Sequence, residues 1–331
     1  MIAIAKTYGL SSILSIKDHI YSYPRFFDYA FVNLMNIRTV TSKTPSLLGE
    51  GVFCKLANKY DLVMWVDILG HKIYHHNLYN HDLSEYLVDK CYFDGHPSVI
   101  VPIKSSSDYL VAFQNAIVQW NIEKNAIKQI YAGFDNHDLR FNDGKCDPLG
   151  RLWVGTTHLE DQPETASLYR MDRDGSKFVL TPVIKGVSIS NGITWSLDSQ
   201  FMYYIDTPTR VISVYQYDIK TGDIGDSPFC MIDLSQEVGV PDGMNIDNRG
   251  FLWVALWDGS QVICIDPRVM EVVDRIKLPV SRPTNVTISH QSPGRLYVTS
   301  AYVEGESQSG HLLIVDTGGA FLNGGSYEFA E

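Results

Sequence analysis

One short apolar run occurs six times along this chain, and that repetition restricts the fold more than any other feature. The runs are Leu62-Val-Met-Trp-Val66, Leu110-Val-Ala-Phe113, Leu152-Trp-Val-Gly155, Met202-Tyr-Tyr-Ile205, Leu252-Trp-Val-Ala255 and Leu296-Tyr-Val-Thr299. Their first residues are 48, 42, 50, 50 and 44 apart. A second alternating segment follows each run, as in Ser213-Val-Tyr-Gln-Tyr217 and Gln261-Val-Ile-Cys-Ile265, and an acidic turn such as Asp172-Arg-Asp-Gly175 often comes next. Such turns reverse a chain between antiparallel strands. Repeats of ~40–50 residues made of short strands read as propeller blades. Helix-period stretches are scarce, which excludes βαβ folds. No Gly-His…Trp-Asp pairing recurs in the WD40 manner, and six even repeats disfavour a two-sheet sandwich. The expected fold is therefore all-β, a six-bladed β-propeller over residues 35–331, preceded by an N-terminal extension over 1–34. Its 25 Gly and 14 Pro suit the many tight turns. Ile37-Arg-Thr-Val-Thr41 is expected to supply the outer strand of the last blade, because an unclosed ring leaves bare strand edges.

A further short strand precedes each run, and its first residues keep step with the repeat. They are Glu50, Pro97, Asn142, Asn191, Asp242 and Asn285, spaced by 47, 45, 49, 51 and 43. The innermost strands of a propeller line its axis, so these positions converge from six directions. Glu50, Asn142, Asn191 and Asp242 are oxygen donors followed closely by Gly, which permits close backbone approach. Asn-Gly and Asp-Gly are also ordinary turn dipeptides. Four in register with the blades point instead to a shared site. Carboxylates and amides crowded on one axis repel one another, and a hard divalent cation relieves this. Oxygen-rich sites suit Ca²⁺, Mg²⁺ or Mn²⁺, with Zn²⁺ less favoured where neither His nor Cys is present.

The formal net charge of −11 argues against phosphate-backbone partners and against electrostatic attachment to anionic membranes. No stretch reaches the ~20 apolar residues that span a bilayer, so neither nucleic acid nor membrane is expected as a partner. The five cysteines, Cys54, Cys91, Cys146, Cys230 and Cys264, are widely spaced with no Cys-x-x-Cys pair. They read as buried free thiols in a reducing, cytoplasmic compartment. His71, His75, His76, His81 and His96 gather in one region and read as solvated loop histidines, the rival being a second metal site. Asn285-Val-Thr287 fits a glycosylation sequon, on an inner strand out of reach. No Gly-x-Ser-x-Gly elbow or His-Glu-x-x-His motif occurs, so neither a serine nucleophile nor a zincin site is indicated.

Leu48-Gly-Glu-Gly51, Arg140-Phe-Asn-Asp-Gly-Lys-Cys-Asp-Pro-Leu-Gly-Arg151 with Trp153-Val-Gly-Thr156, Ile189-Ser-Asn-Gly192 with Trp195-Ser-Leu-Asp198, and Pro241-Asp-Gly-Met244 together resemble the senescence marker protein/gluconolactonase/luciferin-regenerating (regucalcin-like) family. The resemblance runs from about Leu48 to the C-terminus. It implies a six-bladed propeller with one divalent metal, Ca²⁺ favoured, held by Glu50, Asn191 and Asp242. It places substrate contacts on Arg140 and Asn142, and a further acidic contact on Glu160 or Asp161. The implied activity is metal-dependent hydrolysis of a small sugar-type lactone, with Asp242 as general base. The alternatives are a phosphotriesterase- or esterase-type propeller and a non-catalytic calcium-binding propeller. Val52-Phe53-Cys54 departs from the Pro and Trp that usually follow Gly-Glu-Gly in the family, and the region from Pro97 to Ile127 matches it poorly. No oligomeric state is legible.

Overall fold

In an ordinary half-exposed sheet, a strand alternates apolar and polar residues. The repeated runs here do not alternate, because both of their faces are covered. Leu152–His158, for example, is buried along its whole length, and so is the neighbouring kind of strand that precedes a run, Pro97–Pro102. The computed structural model describes residues 36–330 except 58, 80, 81, 88–94, 115, 125, 132, 134, 135, 176, 320 and 322–326. The extension expected over 1–34 lies outside the described residues, as do Cys91 and His81.

Six antiparallel sheets follow one another along the chain. Blade 1 starts with the innermost strand Gly49–Ala57, blade 2 with Pro97–Pro102 and blade 3 with Leu139–Cys146. Blade 4 starts with Ser190–Trp195, blade 5 with Val240–Ile246 and blade 6 with Pro283–Ile288. Blades 1, 2, 3 and 5 are simple four-stranded meanders from the axis outward, and in blade 4 the short strands Asp223–Ile224 and Cys230–Asp233 both pair with Val211–Asp218. The sixth is completed by the other end of the chain. Asn36–Val40 pairs antiparallel with Leu312–Asp316, from Asn36 opposite Asp316 to Val40 opposite Leu312. This is the outer strand expected from Ile37–Thr41. The region from Pro97 to Ile127, with its poor family match, nevertheless builds a full four-stranded blade.

The core is a ring rather than a ball. Six buried apolar clusters each fill one gap between neighbouring blades. One joins Trp253, Val262 and Ile276 of blade 5 to Val286, Leu296 and Val315 of blade 6. Another joins Trp65 and Tyr74 of blade 1 to Tyr297 and Ile314 of blade 6, across the closure. Buried apolar area of this kind is the main stabilising term.

Buried carboxylates brace the hairpins at the ends of the innermost strands. Asp147 accepts hydrogen bonds from the Trp153 indole (3.2 Å) and the Tyr217 hydroxyl (2.8 Å), and Asp247 accepts from the Trp253 indole (3.1 Å). Asp61 does the same work across the ring closure. It belongs to blade 1 but accepts from blade 6: Tyr297 hydroxyl (2.6 Å), His290 amide (3.1 Å), Gln291 amide (3.2 Å) and the Ser289 hydroxyl. No helix among the described residues is long and apolar enough to cross a membrane. The described cysteines Cys54, Cys146, Cys230 and Cys264 are free thiols, all but Cys230 buried.

Replacing Asp61 with Ala strands three donors at the closure, the Tyr297 and Ser289 hydroxyls and the His290 amide, while the Gln291 amide keeps Ser289 Oγ (3.1 Å). The expected loss is about 3 kcal/mol of unfolding free energy, measured by urea denaturation; a loss below about 0.5 kcal/mol would show that apolar packing alone closes the ring.

Candidate active site at the propeller axis

Regular pleating cannot aim two neighbouring residues at the same side of a strand, and each innermost strand breaks its pleat at the same place. One extra residue enters the register in all six: between Glu50 and Phe53, Pro97 and Val99, Phe141 and Gly144, Ser190 and Ile193, Pro241 and Met244, and Pro283 and Val286. A bulge of this kind bends the strand and re-aims its side chains. The displaced residues include Asn142-Asp143, Asn191-Gly192, Asp242-Gly243 and Thr284-Asn285. In blade 2 the displaced residue is Ser98, not Pro97 as the spacing implied, and in blade 1 Glu50 stands just before the bulge. Both offsets are one residue, the size of the inserted step.

The bulges touch in an unbroken circle. The Ser98 hydroxyl donates to the Phe141 carbonyl (2.7 Å), the Asn142 amide donates to Asn191 Oδ1 (2.8 Å), and the Thr284 hydroxyl donates to the Gly49 carbonyl. Between blades 4 and 5 the backbones approach so closely that a Cβ on Gly192 would stand 2.7 Å from the Asp242 carbonyl oxygen. At Gly243 a Cβ would collide with the Asn285 side chain. The glycines after the oxygen donors are thus required by blade-to-blade contact, not by turns.

Glu50, Asn142, Asp143, Asn191, Asp242 and Asn285 are all buried at this circle. Three carboxylates act on one another there. Burial, then the charge of Asp143, pushes Glu50 up from 4.5 to about 8. Burial, then Glu50 and Asp143, holds Asp242 well above the usual carboxylate range, with Arg140 opposing. Burial raises Asp143 too, and Lys145 opposes it. Lys145 is itself pushed down to about 8 by burial against the pull of Asp143, and it donates to the Met244 carbonyl (2.8 Å). Asp242 Oδ1 is buried with no hydrogen-bond partner among the described residues. A buried carboxylate oxygen with no donor is costly, and it marks where a ligand or a proton belongs.

Glu50, Asn142, Asn191 and Asp242 thus lie together at the axis, with Arg140, placed there by the family resemblance, beside them. Arg140 Nη1 donates to Asn142 Oδ1 (2.7 Å) and to the Phe141 carbonyl (3.0 Å). Its charge is felt by Glu50 and Asp242, and in turn it feels Asp161. Of the two acidic candidates beyond the third blade's second strand, Asp161 is the one whose charge reaches Arg140. Both are exposed, and the Glu160 amide is held by His158 Nδ1 (3.0 Å). Asp143, Lys145 and Asn285 are members that were not assigned site roles from sequence.

The residues fit a hard cation. Glu50, Asp242 and the Asn191 oxygen are hard donors, and the orphaned Asp242 Oδ1 supplies an unused lone pair. No group of three or more His, Cys, Asp or Glu able to hold a metal occurs among the described residues. An ion here would thus need the Asn191 amide and water beside the two carboxylates. Of the described histidines of this group, His71 and His96 lie in a turn and a loop as expected but are half-buried, while His75 and His76 lie on the strand Lys72–Asn77. His71 and His96 stack with ring centroids 4.8 Å apart, their Nδ1 atoms hydrogen-bonded to Gly95 (3.1 Å) and Ile68 (2.9 Å) carbonyls. His76 is buried on the strand Lys72–Asn77. Asn285 of the sequon is buried at the axis, as its inner-strand position implied.

A ring of six sheets with a buried, carboxylate-rich polar cluster at its axis defines the class of molecule. The chain belongs to the SMP-30/Gluconolactonase/LRE-like family, which residues 48–302 match. It is 36% identical over 259 residues to a Bacillus subtilis (strain 168) protein provisionally named sugar lactone lactonase YvrE, covering 78% of this chain and 85% of that one. It is 35% identical over 251 residues to Gallus gallus regucalcin, covering 73% and 80%. Among solved structures, a luciferin-regenerating enzyme superposes with a TM-score of 0.78 at 27% identity, covering 90% of this chain and 99% of that one.

The raised Glu50 gives the metal-free protein a definite pH response. A folded state that keeps a proton its unfolded chain has released is favoured by acid. That advantage is complete below about 4.5 and is lost as pH rises toward about 8. In chelator, unfolding free energy should fall between pH 5 and 8, and Glu50→Gln should flatten the slope. A wild-type stability that rises over this window would contradict the burial of that carboxyl.

Proposed function

We propose that the axial cluster is the active site of a metal-dependent hydrolase that opens a small sugar-type lactone. The observation that carries this reading is Asp242: a buried carboxylate with one oxygen unpartnered, facing Glu50 and the Arg140 guanidinium. The names of the relatives, sugar lactone lactonase and gluconolactonase, support the reaction class. The name calcium-binding protein, carried by a regucalcin from Agrobacterium tumefaciens str. C58 that shares the fold, agrees with a hard cation. The reading takes residues 35–331 as the catalytic propeller and 1–34 as an extension.

Glu50, Asn191 and Asp242 would hold the cation. Bound there, a hard divalent ion supplies Lewis-acid polarisation of the lactone carbonyl and a lowered pKa for an attached water. The protein does the rest. Arg140, fixed by Asn142 and the Phe141 carbonyl, points its remaining donors at substrate oxygens in a planar fork. Asp161 is the acidic contact assigned to the substrate, since its charge meets Arg140. Asp242 accepts a proton as the water oxygen bonds to the carbonyl carbon. It returns that proton to the ring oxygen as the C–O bond breaks, leaving the open hydroxy acid.

D-glucono-δ-lactone hydrolysis should require added Ca²⁺, Mg²⁺ or Mn²⁺ and stop with chelator; full activity in chelator would exclude this mechanism. Asp242→Asn should lower kcat by roughly 10²–10⁴-fold in a pH-stat assay. Asp161→Asn should raise KM several-fold and Glu160→Gln leave it within about two-fold, the order expected of a single charged contact; the reverse order would transfer the contact to Glu160.

A further inference from the structure

An asparagine can serve as an oxygen ligand only if its amide faces the right way, and nothing in the side chain itself distinguishes the two orientations. Here the surroundings do. Arg140 has no acceptor, so the side chain it donates to, Asn142, must present its oxygen (2.7 Å). The Asn142 NH₂ is thereby turned to the Ser190 carbonyl (2.9 Å) and to Asn191 Oδ1 (2.8 Å). At the other end stands Thr207, buried, the first residue of the short 3-10 turn Thr207–Thr209. A hydroxyl has one proton, and that of Thr207 goes to the Pro241 carbonyl (2.8 Å). Its oxygen is therefore left to accept from Asn191 Nδ2 (2.7 Å).

The series Arg140, Asn142, Asn191, Thr207, Pro241 carbonyl thus has one polarity, set at each end by a group that cannot reverse. Flipping Asn191 would set its NH₂ against the NH₂ of Asn142 and its oxygen against a hydroxyl whose proton is already committed. Pro241 directly precedes Asp242 in the chain. One hydroxyl therefore ties the blade that carries Asn191 to the strand that carries Asp242.

We propose that Thr207 is a positioning residue for the axial cation: it holds the Asn191 amide with Oδ1 turned away from Thr207, as an oxygen ligand, before any ion arrives. The proposal rests on the reading of Glu50, Asn191 and Asp242 as the cation's ligands. It assigns the preorganisation of that set to a hydroxyl that touches neither ion nor substrate. Outer partners of this kind are worth roughly 10–100-fold in metal affinity.

The test is calorimetric titration of the full chain with Ca²⁺, and separately with Mn²⁺, at pH 8. Thr207→Val keeps the shape and removes both hydrogen bonds, and Thr207→Ser keeps the hydroxyl. Val should weaken the cation by roughly 10-fold or more, and Ser should restore affinity to within about two-fold of wild type. Thermal unfolding in chelator checks that each variant folds; should Val not fold, Thr207→Ala takes its place in the comparison. Wild-type affinity in the hydroxyl-free variant overturns the proposal, as does equal weakening in Ser and Val. Failure of the wild-type chain to bind either ion overturns the ligand reading itself and the positioning role with it. A wild type that binds, beside a Val variant that binds equally well, overturns the positioning role alone.

Discussion

Six strands meeting around one axis leave no room for regular pleating at the point of closest approach, and the extra residue in each is how the chain meets that constraint. The bulge bends each innermost strand, lets neighbouring backbones touch, and aims consecutive side chains at the centre. The six apolar clusters between blades hold those strands rigidly enough for polar groups to be buried where water would otherwise relax them. Without that outer ring of packing, the carboxylates at the axis would simply separate.

The electrostatics of the centre follow from this forced proximity. Glu50, Asp143 and Asp242 share a small buried volume with two cationic groups, Arg140 and Lys145. The acidic excess is met by protons retained on the carboxyls or by an ion of higher charge, and those two solutions compete. Asn142, Asn191 and Asn285 fill the remaining positions with groups that bind oxygen donors or cations without adding charge. The hydroxyls of Thr207 and Thr284 stitch neighbouring blades together through backbone carbonyls.

Much of this was readable in the sequence, for a physical reason: strands buried on both faces must be apolar throughout, so the second strand of every blade stood out. The spacing of Glu50, Asn142, Asn191 and Asp242 survived because the blades are nearly equal in length. What escaped notice arises where local pattern and geometry part company. Asp143 was passed over because a pleated strand shows only one of two neighbours to a given side, and the bulge shows both. Lys145 was hidden for a related reason, since it lies on an innermost strand but off the single repeated position, whereas Asn285 stood at that position and was passed over because Val, not Gly, follows it. Pro97 was chosen in place of Ser98 because an inserted residue leaves no trace in spacing. Thr207 lies outside the innermost strands altogether, and no repeat points to it. The choice between Glu160 and Asp161 needed three dimensions, as adjacent exposed acids in an irregular stretch carry no period.

The pairing of Asn36–Val40 with Leu312–Asp316 joins segments from opposite ends of the described chain. Bringing such distant partners together costs loop entropy that nearer contacts do not. During synthesis the early strand has nothing to pair with until the last blade leaves the ribosome. Five sheets can form in order behind it, but the gap between blades 6 and 1, where Thr284 meets Gly49, closes only at the end. Glu50 lies beside that seam. A nascent chain would accordingly carry an open arc of the axial cluster, and Glu50 would acquire its buried surroundings only as the ring is completed.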